Sequence, residues 1–252
     1  MLDETANWTR PQSVAFPKVW RRFKGLREIN GTVPSFWIQD IPENERENVV
    51  NFMTDGFCKE ETLCKSLGLL NDPESVETLR KAWRLVLLDN VGLACYMENL
   101  DPNGKPILAA ANCTHIKKCD EEEVNITITG SKVQQIFATL NVLMDEKNAF
   151  EFLETDFLLS ALGLYVLPQF RGQVSDGVSV VVFVGEDICR ALAIKASITV
   201  FTSSVSQYLA EKAGFKLLSE ISFEDLRNIH KYEYPGIEEK QKGLKYMYNI
   251  YL

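Results

Sequence analysis

The sequence predicts a mixed α/β fold, in which helices and strands alternate around one mixed sheet. Segments with apolar residues at helical spacing alternate with short β-branched and aromatic segments, and the chain contains no internal repeat. In addition, no Ser/Gly-rich or Pro-rich stretch is long enough to act as a flexible linker between two halves. For a chain of 252 residues we therefore expect one core domain, residues 34–252, preceded by an N-terminal extension, residues 1–33.

The predicted strands are short runs of β-branched, aromatic and aliphatic residues bounded by turn-forming residues. The first of them is expected at an edge of the sheet. Residues 101–104, Asp-Pro-Asn-Gly, are all turn-forming and predict a hairpin between the second and third strands. In order, the predicted strands cover residues 36–41, 91–97, 107–116, 157–166, 198–201 and 245–252.

The predicted helices combine apolar residues at helical spacing with recognisable end signals. Asp72 is expected to cap one helix, and Pro73 to take its first position. Gly214 is expected to close another helix as its left-handed cap. The predicted helices span about residues 42–58, 72–83, 134–152 and 203–213, and the acidic run 120–123 is expected to be a solvated loop.

The charge balance argues against a nucleic-acid-binding protein. The formal net charge is −8, from 27 basic and 35 acidic residues, whereas affinity for a phosphate backbone needs a dense basic surface. One basic cluster near the N-terminus is short and interrupted by apolar residues, which predicts an amphipathic helix or an extended docking arm. The members of this cluster are Lys18, Arg21, Arg22, Lys24 and Arg27. An acidic protein instead suits a cationic substrate.

The sequence carries no signal for a metal site, a membrane span or secretion. Its six cysteines contain no CxxC pair and only two histidines are present, so a zinc site is not expected. No stretch approaches the roughly 20 apolar residues needed to span a bilayer. The N-terminus is polar and lacks the apolar segment of a signal peptide. We therefore expect a cytoplasmic monomer with reduced thiols and no membrane or nucleic-acid partner.

The most specific motif is Leu-Gly-Leu-Tyr-Val-Leu-Pro-Gln-Phe-Arg-Gly-Gln, residues 162–173. It resembles the strand and phosphate loop of the GNAT N-acetyltransferases, in which a Val-x-Pro step precedes Arg-Gly-x-Gly-x-Gly/Ala and a helix. Glycines in such a loop let backbone N–H groups at the helix N-terminus approach a pyrophosphate. The resemblance implies an acetyl-CoA site formed by Leu164, Tyr165, Val166, Arg171, Gly172, Gln173, Val174, Asp176 and Gly177.

Two further segments resemble the insect arylalkylamine N-acetyltransferases within this superfamily. Residues 57–68 are similar to their Phe-x-Lys-Asp-Glu-Pro-Leu motif, and residues 199–215 to their Ser-rich segment ending in Glu-Lys-x-Gly-Phe. The three matches keep the family order and together cover about residues 35–252. The resemblance implies a GNAT fold with a central, mixed, largely antiparallel twisted sheet flanked by helices. It also implies direct transfer of an acetyl group from acetyl-CoA to a small, arylalkylamine-like primary amine in a ternary complex.

The resemblance implies catalytic roles for three polar residues. Glu61 matches the general base, which takes the proton of an ammonium substrate through ordered water, whereas Glu60 is expected to point elsewhere. Ser206 and Thr202 match two serine positions near the thioester, and threonine retains the hydroxyl. Each has a structural alternative, Glu61 as a solvated helix-end carboxylate and the hydroxyls as helix caps. Tyr208 is a further candidate acid for the leaving thiolate.

The phosphate loop departs from the family pattern. Val174 places a branched side chain, and Asp176 a negative charge, where the backbone should approach a pyrophosphate, before Gly177 restores a glycine. Residues 177–185 are β-branched and bracketed by glycines, which is more typical of a strand than of a helix. The departure leaves open an alternative function, a catalytically impaired paralogue that binds a ligand or partner. A misjoined exon boundary in the coding sequence would produce the same pattern.

Overall fold

The computed structural model describes residues 8–119, 127–173, 180–237 and 241–252. Within these ranges the strands are β1 (Val19–Lys24), β2 (Ser35–Asp40), β3 (Leu93–Met97), β4 (Ile107–Lys118), β5 (Phe157–Val166), β6 (Ala196–Phe201), β7 (Lys216–Ser222) and β8 (Gly243–Ile250). The α-helices are α1 (Arg46–Glu60), α2 (Thr62–Leu67), α3 (Pro73–Val86), α4 (Ser131–Asp145), α5 (Ala149–Leu153), α6 (Val180–Ala191), α7 (Ser204–Lys212) and α8 (Phe223–Asn228).

The strands form one sheet in the order β1-β2-β3-β4-β5-β6-β8-β7. Neighbouring strands pair antiparallel except β5 and β6, which are parallel. Helices α1, α3 and α4 pack on one face of the sheet and α6 on the other. The predicted mixed α/β fold with a largely antiparallel sheet is therefore confirmed. None of the helices in these ranges is long and apolar enough to cross a membrane.

Two buried apolar clusters hold the helices on the sheet. On one face, Trp83 of α3 and Met53 of α1 pack with Ala94 of β3. On the other, Ile188 of α6 packs in the cluster that contains Cys95 of β3. Ala94 and Cys95 are consecutive, so their side chains point to opposite faces of the sheet. Burying one large apolar side chain contributes about 1.5–3 kcal/mol, which makes these clusters the main source of stability.

Elements with strong local signals lie where the sequence predicts them. β5 has the predicted bounds, Phe157–Val166. Asp72 caps α3 by accepting a hydrogen bond from the Ser75 backbone N at 3.4 Å, and Pro73 begins the helix. Gly214 follows α7 with a φ of +88°, as expected for a left-handed cap.

The prediction of an edge strand at residues 36–41 is wrong, as is the helix considered for the basic cluster. β1 pairs with β2, from Lys24 opposite Ser35 onwards, so β2 lies inside the sheet. The Phe23 ring of β1 stacks on Phe36 of β2 with their centroids 5.1 Å apart. This cross-strand packing favours a strand over a helix in the cluster.

Residues 177–185 have a composition that is more typical of a strand, but the part of this segment that the structure describes is not a strand. The segment is helical over Val180–Ala191, which is α6. It connects β5 to its parallel neighbour β6, and a parallel pair needs a crossover that is usually a helix. This topological requirement overrides the β-branched composition. Residues 177–179 and the acidic run 120–123 lie outside the described residues, and β7 and α8 have no counterpart among the predicted elements.

A buried ion pair holds the N-terminal segment against β2. The Asp40 carboxylate is fully buried, at 0% exposure, and lies 2.6 Å from Arg10 Nη2. It also accepts hydrogen bonds from Trp20 Nε1 at 2.6 Å and from the Lys18 backbone N at 2.9 Å. Burial raises the pKa of Asp40, while these donors act in the opposite direction. The boundary predicted at residue 33 stays a prediction, although residues on its N-terminal side are anchored to the sheet.

We expect Arg10→Ala to lower the free energy of unfolding by about 3 kcal/mol, because Asp40 would remain buried without its cation. Arg22→Ala is the control, since Arg22 is exposed and its guanidinium has no ion-pair partner among the described residues, only the Trp37 ring 5.7 Å away. It should change the free energy of unfolding by less than about 1 kcal/mol. Urea denaturation measures both variants. If Arg10→Ala and Arg22→Ala lower the free energy of unfolding equally, the stabilising role of the Arg10–Asp40 pair is contradicted.

Candidate functional site

A cleft opens where the two parallel strands separate. Within the described chain, β5 pairs with β6 only at Leu159 and Ser160. One position further along, Thr199 Oγ1 donates a hydrogen bond to the Ala161 carbonyl at 3.2 Å, so a side chain replaces the ladder. The cleft has a volume of about 1990 Å³ and is lined along β5 as far as Val166. Backbone groups in the separated part of β5 therefore have no β6 partner and can bind an extended ligand.

A β-bulge marks the start of the separated part of β5. Leu162 and Gly163 together oppose a single residue of β4. The Leu162 carbonyl turns towards α3 and accepts a hydrogen bond from Trp83 Nε1 at 2.7 Å. Gly163 has a φ of +111°, and a Cβ added there would lie 2.9 Å from the Phe57 ring. The bulge therefore requires glycine and fixes the strand against α1 and α3.

Glu61 and Thr202, two of the predicted catalytic residues, lie in direct contact at this cleft. Glu61 separates α1 from α2 and caps α2, because its Oε2 accepts a hydrogen bond from the Cys64 backbone N at 2.8 Å. Its Oε1 accepts a hydrogen bond from Thr202 Oγ1 at 2.6 Å, across 141 residues of sequence. Each carboxylate oxygen retains a further lone pair for a ligand. The Glu61 side chain is thus held in one orientation with accepting capacity left.

Ser206, the third predicted catalytic residue, is part of a helix cap. It forms a capping box with Ser203 at the start of α7. Ser206 Oγ donates to the Ser203 carbonyl at 2.9 Å, and Ser203 Oγ accepts from the Ser206 backbone N at 3.1 Å. Both residues line the cleft with Thr202. Tyr208 lies two residues after Ser206 and is 56% exposed. The structural alternative considered for Ser206 is therefore present, and its catalytic role stays a prediction.

The residues predicted to bind the cofactor on β5 alternate between the two faces of the sheet. Leu164 and Val166 pack on the α6 side, and Tyr165 packs on the α1 side. The Tyr165 ring crosses α1 at Gly56, where an added Cβ would lie 1.9 Å from Tyr165 Cε1. Tyr165 donates a hydrogen bond to Glu60 Oε1 at 3.2 Å, and burial together with Glu60 raises its pKa. These contacts place α1, and hence Glu61, directly beside β5.

Arg171 and Glu60 form an ion pair that the sequence did not predict. An Arg171 guanidinium nitrogen contacts Glu60 Oε2, and Arg171 Nε donates to the Val166 carbonyl at 3.1 Å. The Arg171 guanidinium lowers the pKa of Glu60. Glu60 therefore points away from Glu61 and towards the predicted phosphate loop, in agreement with the prediction that it points elsewhere.

The predicted phosphate loop begins with a glycine in the left-handed region. Gly172 has a φ of +71°, which favours glycine. Gln173 is buried at 4% exposure and contacts the loop between β1 and β2. Val174, Asp176 and Gly177 lie outside the described residues, so the departure from the family pattern remains a feature of the sequence.

Cys58 and Cys64, two thiols near Glu61, are buried. Burial is the main cause that raises the pKa of Cys58 to about 12 and the pKa of Cys64 well above its usual range. Both thiols are therefore protonated at neutral pH, and a protonated thiol is a poor nucleophile. Within the described ranges, no group of His, Cys, Asp and Glu side chains could hold a metal ion.

Comparison with known proteins identifies the architecture. No protein-family model and no curated protein sequence matches the chain. A crystal structure of arylalkylamine N-acetyltransferase 7 from the mosquito Aedes aegypti matches with 28% identity and a TM-score of 0.85, over 98% of this chain and 100% of the mosquito chain.

Two more distant structures share the fold. Arylalkylamine N-acetyltransferase 2 from Aedes aegypti is 16% identical, with a TM-score of 0.67 over 86% of this chain and 99% of its own. A Drosophila melanogaster polyamine N-acetyltransferase, which forms N-acetylagmatine, is 14% identical, with a TM-score of 0.61 over 85% of this chain and 99% of its own.

This protein therefore has the fold of the GNAT N-acetyltransferases. Within that class, it resembles the insect arylalkylamine N-acetyltransferases.

We expect Gly56→Ala to destabilise the protein by about 1–2 kcal/mol, because the added methyl group overlaps the Tyr165 ring. Helix propensity alone would favour alanine by about 1 kcal/mol, so the sign of the change separates the two effects. Asp55→Ala, at the neighbouring exposed position of α1, is the control and should change stability by less than about 0.5 kcal/mol. Thermal unfolding compares the variants. A Gly56→Ala protein as stable as the native chain would show that Tyr165 does not press on α1.

Proposed function

We propose that this protein is an acetyl-CoA-dependent N-acetyltransferase that acts on a small, arylalkylamine-like primary amine. The observation that carries the proposal is the contact between Glu61 and Thr202 at the cleft formed by the separated strands. It brings a carboxylate and a hydroxyl to one point of the cleft whose β5 wall the resemblance assigns to acetyl-CoA. The overall similarity to arylalkylamine and polyamine N-acetyltransferases supports the same activity.

Glu61 is proposed as the general base. A primary amine is an ammonium ion at neutral pH, and it must lose a proton before its nitrogen can attack a carbonyl carbon. The hydrogen bonds from Cys64 N and Thr202 Oγ1 orient the carboxylate but leave lone pairs for a water molecule or the ammonium. The negative charge of Glu61 also favours a cationic substrate, as does the net charge of −8.

The walls of the cleft fit the apolar part of such a substrate. They include the aromatic and aliphatic side chains of Phe57, Leu63, Leu162, Val200 and Phe201. A mostly apolar cleft with a few converging polar groups is typical of a small-molecule site. The proposed substrate therefore combines one ammonium group with an aryl or alkyl body.

The β5 wall and the start of the phosphate loop are proposed to hold acetyl-CoA, which supplies an acetyl thioester when bound. Leu164, Tyr165 and Val166 present a strand edge without a β6 partner, to which an extended pantetheine chain can hydrogen-bond. Gly172 exposes backbone at the position of the pyrophosphate. Thr202, which hydrogen-bonds the proposed base, and Ser206, which also lines the cleft, are proposed to hydrogen-bond the substrate or the leaving thiolate.

Direct transfer in a ternary complex is favoured over a covalent acyl-enzyme. A cysteine nucleophile must be a thiolate, and burial raises the pKa values of both Cys58 and Cys64. The amine nitrogen would therefore attack the thioester carbonyl itself. The carbon–sulfur bond then breaks, the thiolate takes a proton, and the second ammonium proton is released.

Glu61→Gln should lower kcat by about 10²–10⁴-fold, because the amide cannot accept the ammonium proton. The amide oxygen can still accept the hydrogen bond from Cys64 N, so the α2 cap and the thermal stability should be retained. Thr202→Ser should keep most of the activity, whereas Thr202→Val should lose it, since only serine retains the hydroxyl. A thiol-release assay with acetyl-CoA and a panel of aryl and alkyl amines measures all three.

The control for these variants is Glu74→Gln, which removes an exposed carboxylate in the first turn of α3. It should leave kcat unchanged. An active Glu61→Gln protein would overturn the base assignment.

The departures in the phosphate loop favour the second candidate function, a catalytically impaired paralogue that binds a ligand or partner. Titration calorimetry with acetyl-CoA separates the two candidates. We expect the native chain to bind, and the double variant Val174→Gly/Asp176→Gly to bind more tightly, because the changes remove a side chain and a like charge. Binding by the double variant alone would support the impaired paralogue. Binding by neither chain would overturn the acetyl-CoA site.

A further inference from the structure

The loop between β1 and β2 is docked against the start of the predicted phosphate loop. The Leu26 backbone N donates a hydrogen bond to the Gln173 carbonyl at 3.2 Å. The Arg27 backbone N donates to Gln173 Oε1 at 3.0 Å. Gly25 allows this approach, since a Cβ added there would lie 2.7 Å from Gln173 Oε1. The N-terminal segment is therefore part of the wall at this end of β5.

This docking places the Arg27 guanidinium directly beside Gly172. A Cβ added at Gly172 would lie 3.4 Å from Arg27 Nη2 and 3.5 Å from Arg27 Cζ. Gly172 has a φ of +71° and no side chain of its own to stand between the guanidinium and the backbone. An anion that rests on the Gly172 backbone would lie within hydrogen-bond reach of Arg27.

Arg27 differs from the other members of the N-terminal basic cluster in that its guanidinium has no partner among the described residues. The other four contact an aromatic ring, a carboxylate or a hydroxyl: Lys18 with Trp20 at 4.2 Å, Arg21 with Asp187 at 3.0 Å, Arg22 with Trp37 at 5.7 Å and Lys24 with Ser35 at 2.6 Å. Among the residues that the structure describes, no carboxylate lies within ion-pair distance of the Arg27 guanidinium. The neighbouring cation Arg171 is already paired with Glu60.

We propose that Arg27 binds the pyrophosphate of acetyl-CoA, with its guanidinium contacting phosphate oxygens beside Gly172. The inference rests on the proposed acetyltransferase function. A guanidinium is planar and presents paired donors that match phosphate oxygens. Arg27 also adds a positive charge beside Gly172, four positions before the acidic Asp176 in the sequence. The N-terminal extension thereby acquires a role in cofactor binding, although it lies outside the segments that resemble the family.

The test compares the native chain with Arg27→Ala and with Arg22→Ala, which removes the same charge from the same segment. Titration calorimetry uses acetyl-CoA and acetyl-dephospho-CoA, which lacks the 3′-phosphate but keeps the pyrophosphate. Arg27→Ala should raise the Kd about tenfold for both ligands, and Arg22→Ala should raise neither. The loss should shrink at high salt, because exposed charges are screened.

A folding control accompanies these titrations. Arg27→Ala keeps the backbone hydrogen bonds to Gln173, so its thermal stability should equal that of the native chain. Arg27→Lys keeps the charge but loses the planar donors, so its Kd for acetyl-CoA should lie between those of the native chain and Arg27→Ala.

The possible outcomes separate this inference from the proposed function. If the native chain and Arg27→Ala bind acetyl-CoA with equal affinity, the role of Arg27 is overturned but the proposed function is not. A loss confined to acetyl-CoA would assign Arg27 to the 3′-phosphate and overturn the pyrophosphate assignment. Tighter binding by Arg27→Ala would show that the guanidinium occupies the position of the phosphate. A native chain that binds neither ligand would overturn the proposed function and this inference with it.

Discussion

The separation of β5 from β6 is the constraint on which the site depends. A parallel pair inside an otherwise antiparallel sheet needs a crossover, and α6 supplies it. The pairing ends at Ser160, and Thr199 bridges the next position with its hydroxyl. Since the carboxyl ends of parallel strands lie at the same edge of a sheet, the segments after β5 and after β6 meet there. Arg171 and Gly172 after β5, and Thr202 and Ser203 after β6, therefore line the same cleft.

The position of Glu61 follows from how α1 packs against the separated strand. Gly56 lets the Tyr165 ring lie across α1, and Gly163 lets the strand approach Phe57. The chain then leaves α1 at Glu61, whose carboxylate caps α2 and accepts a hydrogen bond from Thr202. The Glu61 side chain thus caps α2 and also lies at the cleft. Close packing of a helix on a strand, rather than a flexible loop, determines where the proposed base lies.

The N-terminal segment contacts the sheet, helix α6 and the start of the predicted phosphate loop. Arg10 pairs with the buried Asp40 of β2, and β1 extends the sheet beyond β2. Arg21 pairs with Asp187 of α6 at 3.0 Å. The loop after β1 binds Gln173 through its backbone. The segment before residue 34 therefore contacts both the residues that begin the predicted phosphate loop and the helix α6.

Local signals were sufficient for much of the fold. The bounds of β5, the cap and first residue of α3 and the left-handed glycine after α7 were predicted correctly, because each depends on residues a few positions apart. The motif at residues 162–173 predicted the GNAT fold for a similar reason, since its residue types are needed in order along one stretch of chain. The strand β1 and the helical start of α6 were missed, because packing and topology overrode their composition.

The arrangement of the candidate site could be decided only in three dimensions. Thr202 meets Glu61 across 141 residues of sequence, and Arg171 meets Glu60 across 111. The side chains themselves carry no signal for these pairings, because any hydroxyl or guanidinium could satisfy a carboxylate equally well. The sequence thus contained the chemical groups and the fold that would carry them. Which groups meet was determined by where the sheet splits and how α1 and the N-terminal segment pack around that split.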